Sequence, residues 1–222
     1  MKVNHDQTRG KIIEITELLK AQAVTAQNFK ENSNKVLADE SLSQKYQNDR
    51  IAELRENYIA KHKETKEKVI AILEEIAPIE FENEKILEYD IPEFANTMSA
   101  INSTQGKLPA DVMESIKLNF AGHYQVLLSI KAAFERYGID LTPYKYEEYV
   151  TSAAFVINDM MKMAENLELS ESSSFIALRQ LHAKVIRFGE VRGIKFSPDE
   201  KTFGSISEDV SDALARQVMG LE

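Results

Sequence analysis

The sequence predicts an all-α protein, with a long N-terminal helical hairpin or coiled-coil arm followed by a C-terminal helical bundle. Three observations carry this. Between Gly10 and Pro78 lie 67 residues without glycine or proline, rich in Ala, Glu, Lys, Gln and Leu, which are strong helix formers. Apolar residues in that stretch recur at three- and four-residue intervals, the period of one helix face. The remainder is punctuated by single glycines and prolines between wide apolar stripes, the pattern of several helices that pack together.

In the arm, Ile12, Ile15, Leu19, Ala26, Phe29 and Val36 form a first seam, with Gln22 and Ser33 filling its gaps. Ile51, Leu54, Tyr58, His62, Thr65, Val69, Ile72 and Ile76 form a second. Both have the look of loosely filled coiled-coil stripes. Between them the register fails, because continuing the first seam places Glu40, Ser43, Gln47 and Arg50 where apolar residues belong. Residues 39–44, DESLSQ, offer instead a helix start, with Ser41 as N-cap and Gln44 as its capping-box partner. The expected arrangement is therefore an antiparallel hairpin of helices near 11–38 and 42–77, with a single bent rod as the alternative.

After Pro78, Ile79, Phe81, Leu87, Tyr89 and Ile91 alternate with acidic residues, which suits a short β-hairpin or an extended linker over 79–91. Pro92 opens a helix to about Thr104, with Asp90 as N-cap. A long helix follows from Pro109 to Tyr137, closed by Gly138, with Gly122 inside it marking a close crossing or a kink. Thr142 and Pro143 start the next, to about Leu167, and Ser170 caps another from Glu171 to about Phe188. A last helix runs from Ser207 to Met219, with Glu208 and Asp209 favourably placed in its first turn. This gives about five helices after residue 91, and a division into a charged arm (1–77), a linker or hairpin (78–91) and an acidic bundle (92–222).

Charge follows the same division. Residues 1–77 hold 13 Lys+Arg against 13 Asp+Glu; the rest hold 14 against 23 and so carry the whole net charge of −9. An acidic body disfavours a duplex-DNA partner, since neutralising phosphates needs clustered cations. The chain has no cysteine, which removes disulfides and thiolate chemistry, and no apolar run of membrane-spanning length. The opening MKVNHDQTRGK lacks the apolar core of a signal peptide, so the expected location is cytoplasmic.

No catalytic, cofactor or metal site is expected. His5, His62, His123 and His182 are isolated, without the paired spacing of metal ligands on a helix. No glycine-rich phosphate loop and no nucleophile elbow occurs. Glu147 and Glu148, beside Tyr144, Tyr146 and Tyr149, read as a helix first turn; with Asp159 they are the place an enzyme reading would start. Met160, Met161 and Met163 read as core filler rather than a groove for partner helices. Residues 45–68 hold seven Lys+Arg against five Asp+Glu at spacings that form pairs along a solvated helix.

Residues 42–76, LSQKYQNDRIAELRENYIAKHKETKEKVIAILEEI, resemble the helical arms of small proteins encoded in the head-assembly regions of tailed phages of low-GC Gram-positive bacteria. That resemblance implies a non-enzymatic virion or assembly protein acting through helix-helix contacts, located in the virion if phage-encoded. The expected function is accordingly a structural, assembly or interaction protein, a homo-oligomer or the partner of another helical protein. Its expected contact residues are Ile12, Ile15, Leu19, Phe29, Val36, Ile51, Leu54, Tyr58, Val69, Ile72 and Ile76. The alternative is an accessory to phage replication or packaging that meets nucleic acid through the 45–68 face. No membrane and no small-molecule partner is expected.

Overall fold

A computed structural model describes residues 5–84, 91–167 and 173–203, and among these every regular element is a helix. The arm is an antiparallel helical hairpin. Helix α1, His5–Ala38, and helix α2, Gln44–Asn83, are about 50 and 60 Å long at 1.5 Å per residue. The turn between them is held by short polar side chains. Asp39 Oδ1 accepts from the Ser41 amide (3.0 Å) and hydroxyl (2.6 Å), which hold its carboxyl below the usual range. Ser43 Oγ then accepts from the Tyr46 amide at 3.3 Å. Ser43 is thus the cap of α2, two residues beyond the expected Ser41, because Asp39 has already engaged Ser41.

Pro78 does not end α2, which continues to Asn83. A proline inside a helix removes one amide donor and leaves the carbonyl four residues back without its bond, here that of Glu74. Glu74 and Pro78 face solvent, where water can serve that carbonyl, and the buried Ile76 and Glu80 hold the helix on either side. The short β-hairpin or extended linker expected over 79–91 is therefore replaced by helix as far as Asn83. Residues 85–90, including the expected cap Asp90, lie outside the described residues.

Helix α3, Pro92–Ser103, begins with proline in its first turn. The single helix expected over 109–137 is two, α4 (Ala110–Asn119) and α5 (Tyr124–Arg136), because Gly122 adopts φ +86. Gly138 ends α5 as expected, with φ +71 and its amide bonded to Glu135 O. The helix expected over 142–167 is also divided. A 3-10 turn at Thr142–Tyr144 leads through Lys145, at φ +53, into α6 (Tyr146–Tyr149), and α7 follows at Ala153–Glu165. Helix α8 is Ser173–Glu190, and α9, Pro198–Lys201, is a single turn closed by a capping box between Ser197 and Glu200. The expected cap Ser170 and the expected helix 207–219 lie outside the described residues.

The chain forms two compact units, and neither is a continuous segment. The first comprises Met1–Ile12, Leu73–Asp159 and Arg187–Phe196; the second Ile13–Ile72, Met160–Ile186 and Ser197–Glu222. Their boundaries do not coincide with the divisions drawn at residues 77 and 91. The physical reason is the seam: each unit combines part of α1 and α2 with C-terminal segments. The first unit buries Ile101, Val126, Leu127, Ile130, Phe134 and Tyr146 in one cluster. The second buries Ile15, Leu19, Val69, Met160, Leu178 and Leu181 among others. In it, Lys66 donates to the Glu165 carbonyl and His62 contacts that of Leu167, tying α2 to the end of α7.

Replacing Pro78 with alanine restores a helical donor at an exposed site. Pro78→Ala is expected to raise stability by about 1–3 kcal/mol in urea unfolding, and a loss of stability would show that α2 depends on the proline there.

Candidate functional site

Contact residues come first, because the expected function rests on them. Of the eleven expected, Ile12, Ile15, Leu19, Phe29, Tyr58, Val69, Ile72 and Ile76 are buried within the single chain. Val36, Ile51 and Leu54 are half-buried. The buried eight are therefore covered by the chain itself and offer no face to a partner. The half-buried three belong to the closed end of the hairpin, residues 30–61, where Tyr58 alone is buried. Leu37 and Tyr46 are 56% exposed and Ile59 37%, so this end carries apolar side chains that the other described residues do not cover.

Two polar layers show how the rest of the hairpin is fixed. In the second unit, Thr65 Oγ1 donates to Gln22 Oε1 (3.3 Å), Gln22 Nε2 donates to His62 Nδ1 (3.2 Å), and His62 Nε2 donates to Leu167 O (3.0 Å). The proton on Nε2 satisfies both ring contacts. The polar gaps of the two seams thus meet each other, which sets the register of α1 on α2. Next to this layer Phe29 and Tyr58 stack with centroids 5.1 Å apart.

In the first unit, Glu80 is buried with Arg192 Nε at 2.8 Å on one oxygen and Thr8 Oγ1 at 2.9 Å on the other. Arg192 also pairs with Glu84 at 3.6 Å and stands 4.0 Å over the Phe188 ring. Burial lowers the Arg192 pKa while both carboxylates oppose the shift; burial raises that of Glu84, against a bond from the Ala153 amide. A crevice lined by Glu84, Gly122, Tyr124, Tyr149, Thr151 and Arg192 has room for about one water molecule. Arg192 is already paired, and the space is far below that of a small-molecule site.

The tyrosine cluster is structural in its contacts. Tyr146 donates to Met113 O at 2.9 Å, and burial pushes its hydroxyl pKa up. The Tyr149 ring lies 4.8 Å from Lys117 Nζ and 5.6 Å from the Arg187 guanidinium. Glu147 pairs with Lys131 at 3.0 Å, and Glu148 with Arg187. Asp159 lies on α7. Met160 is buried, and Met161 and Met163 are half-buried. On the 45–68 face, Arg50 pairs with Glu53, Lys63 with Glu67 (3.8 Å) and Lys68 with Glu64 (2.7 Å), which leaves less cationic charge for phosphates. Among the described residues no group of His, Asp or Glu converges to hold a metal, and no helix is long and apolar enough to cross a membrane.

Sequence reasoning missed the Arg192–Glu80 pair, whose partners are 112 residues apart and carry no local signal. His182, read from the sequence only as an isolated histidine, is buried against Phe203 with its Nε2 making no hydrogen bond. Burial, reinforced by Lys20, lowers the pKa of His182 to about 4.

Arg192→Met is expected to cost about 3–5 kcal/mol in urea unfolding, because it strands a buried carboxylate; the double variant Glu80→Met/Arg192→Met should recover most of that loss. Additive losses would show that the pair is not coupled. For His182 the unfolded chain binds the extra proton, so its contribution is intact above pH 6.5 and is lost as pH falls toward 4. Thermal unfolding should register a loss on the order of 2 kcal/mol over that window. His182→Leu should remove that part of the pH dependence.

No family model matches the chain, and the searches of curated proteins and of solved structures returned no match.

Proposed function

We propose that the protein is a non-enzymatic helical interaction protein whose contact surface is the closed end of the α1–α2 hairpin. One observation carries this reading: of residues 30–61 only Tyr58 is buried, although Val36, Leu37, Leu42, Tyr46, Ile51, Leu54 and Ile59 all lie there. Most of a helix's stability comes from packing an apolar face, so a two-helix end whose apolar side chains are half-buried (Val36, Leu42, Ile51, Leu54) or exposed (Leu37, Tyr46, Ile59) gains from a further helical surface. The ordinary hairpin end would be polar, as its turn is. The narrower form, an assembly protein of a phage head region, rests on the resemblance of residues 42–76 alone.

A photo-crosslinking phenylalanine analogue placed singly at Leu37, Tyr46 or Ile59 tests this in the native cell. The controls are Val112, Leu128 and Phe155, which are also exposed apolar positions but lie elsewhere. Protein adducts are expected from the hairpin positions and not from the controls. Adducts spread evenly over both sets, or confined to the controls, would remove the basis for the reading.

A further inference from the structure

Resting on that reading, we infer that the partner at the closed end is a second copy of the chain, and that two hairpins pair antiparallel about a two-fold axis to complete a four-helix bundle. Two helices alone give each only one neighbour. A bundle of four gives each helix two and encloses an apolar seam of the kind left half-buried at Val36, Ile51 and Leu54 and exposed at Leu37. At the base of this end the hydroxyls of Ser33 and Tyr58 are buried and make no hydrogen bond, which lowers what the hairpin's own packing contributes there.

Charge selects the occupant. Residues 30–61 hold six Lys+Arg and six Asp+Glu, whereas the rest of the chain carries the full −9. A neutral surface of mixed sign gives no advantage to nucleic acid or to a strongly charged protein, and it does not repel its own copy. The order of the charges selects the orientation. The turn carries Asp39 and Glu40, and the other end of this segment carries Lys30, Glu31 and Lys61, with Lys63, already paired to Glu67, just beyond it. Antiparallel pairing sets the acidic turn of each copy beside the lysines of the other; parallel pairing would set acid against acid. A two-fold contact of this kind is self-complementary, so each charge pair occurs twice. The α1 part of the closed end is about 14 Å long and the α2 part about 27 Å, so at roughly 10–12 Å per helix one face is on the order of 400–500 Å². That is the low end for a specific interface, so the dimer exchanges reversibly.

Sedimentation velocity on the purified full chain, from low-micromolar to near-millimolar concentration, tests the inference. The mass is expected to rise from 25.2 kDa toward twice that value. Leu37→Glu/Ile59→Glu should hold the chain at the monomer mass with an unchanged circular dichroism spectrum, whereas Phe155→Glu should leave dimerisation intact. Reversing the turn with Asp39→Lys/Glu40→Lys should weaken the dimer at least tenfold, and adding Lys61→Glu/Lys63→Glu should restore it. A monomer at every concentration, a dimer broken by Phe155→Glu alone, or a dimer strengthened by the turn reversal overturns the inference. Crosslinks from Leu37 or Tyr46 to a different protein, with the pure chain monomeric, would overturn self-pairing while leaving the contact surface in place. Loss of those crosslinks altogether would remove both.

Discussion

An apolar seam runs along α1 and α2 for longer than the other described residues cover it, and most features of the molecule follow from that mismatch. Where C-terminal segments join the helices, the seam is closed: Ile12, Ile15 and Leu19 on one helix and Val69, Leu73 and Ile76 on the other are fully buried. Each such side chain contributes roughly 1.5–3 kcal/mol on leaving water. Beyond Phe29 and His62 the same two helices continue, but there only Tyr58 is buried, and Val36, Ile51 and Leu54 are half-buried. The hairpin is therefore stable at its open end and dependent on its own turn, ion pairs and modest side-chain contact at the other.

The polar groups of the hairpin fix what apolar packing leaves free. A seam of leucines and isoleucines permits neighbouring registers of nearly equal energy. A buried Gln22–His62–Thr65 layer permits one, since a slipped register leaves a glutamine and an imidazole without partners. The buried pair of Arg192 and Glu80 has the same character in the first unit, where Thr8 occupies the second carboxylate oxygen. Such pairs add little net stability when complete, but they strongly penalise arrangements that break them.

Local signals made the hairpin legible in the sequence, and non-local ones hid its details. The register failure at Glu40, Ser43 and Gln47 marks the break between α1 and α2, which the structure places between Ala38 and Gln44. Which serine caps α2 was not legible, because Asp39, Ser41 and Ser43 are all competent and only the turn geometry separates them. Pro78 carries a strong stop signal that the burial of Ile76 and Glu80 overrides. Gly122 was visible as an anomaly but reads equally as a kink; Lys145 in a left-handed conformation gives no signal, since lysine has no preference for it. The capping box of α9 in Ser197-Pro198-Asp199-Glu200 is a signature that the sequence reading passed over. Gln22, His62 and Thr65 looked like flaws in two seams, because spacing along one helix says nothing of what faces it on another. The contact surface was the least legible feature: seam residues share one pattern, and burial in three dimensions divides the covered from the uncovered.

The claim that the hairpin is closed over at one end and uncovered at the other is most directly tested by amide hydrogen exchange in dilute solution. Peptides from 8–29 and 62–80 are expected to exchange only through large-scale opening, and peptides from 33–57 faster by orders of magnitude. Equal protection along both helices would contradict the account, because it would mean that the closed end is already as well packed as the rest.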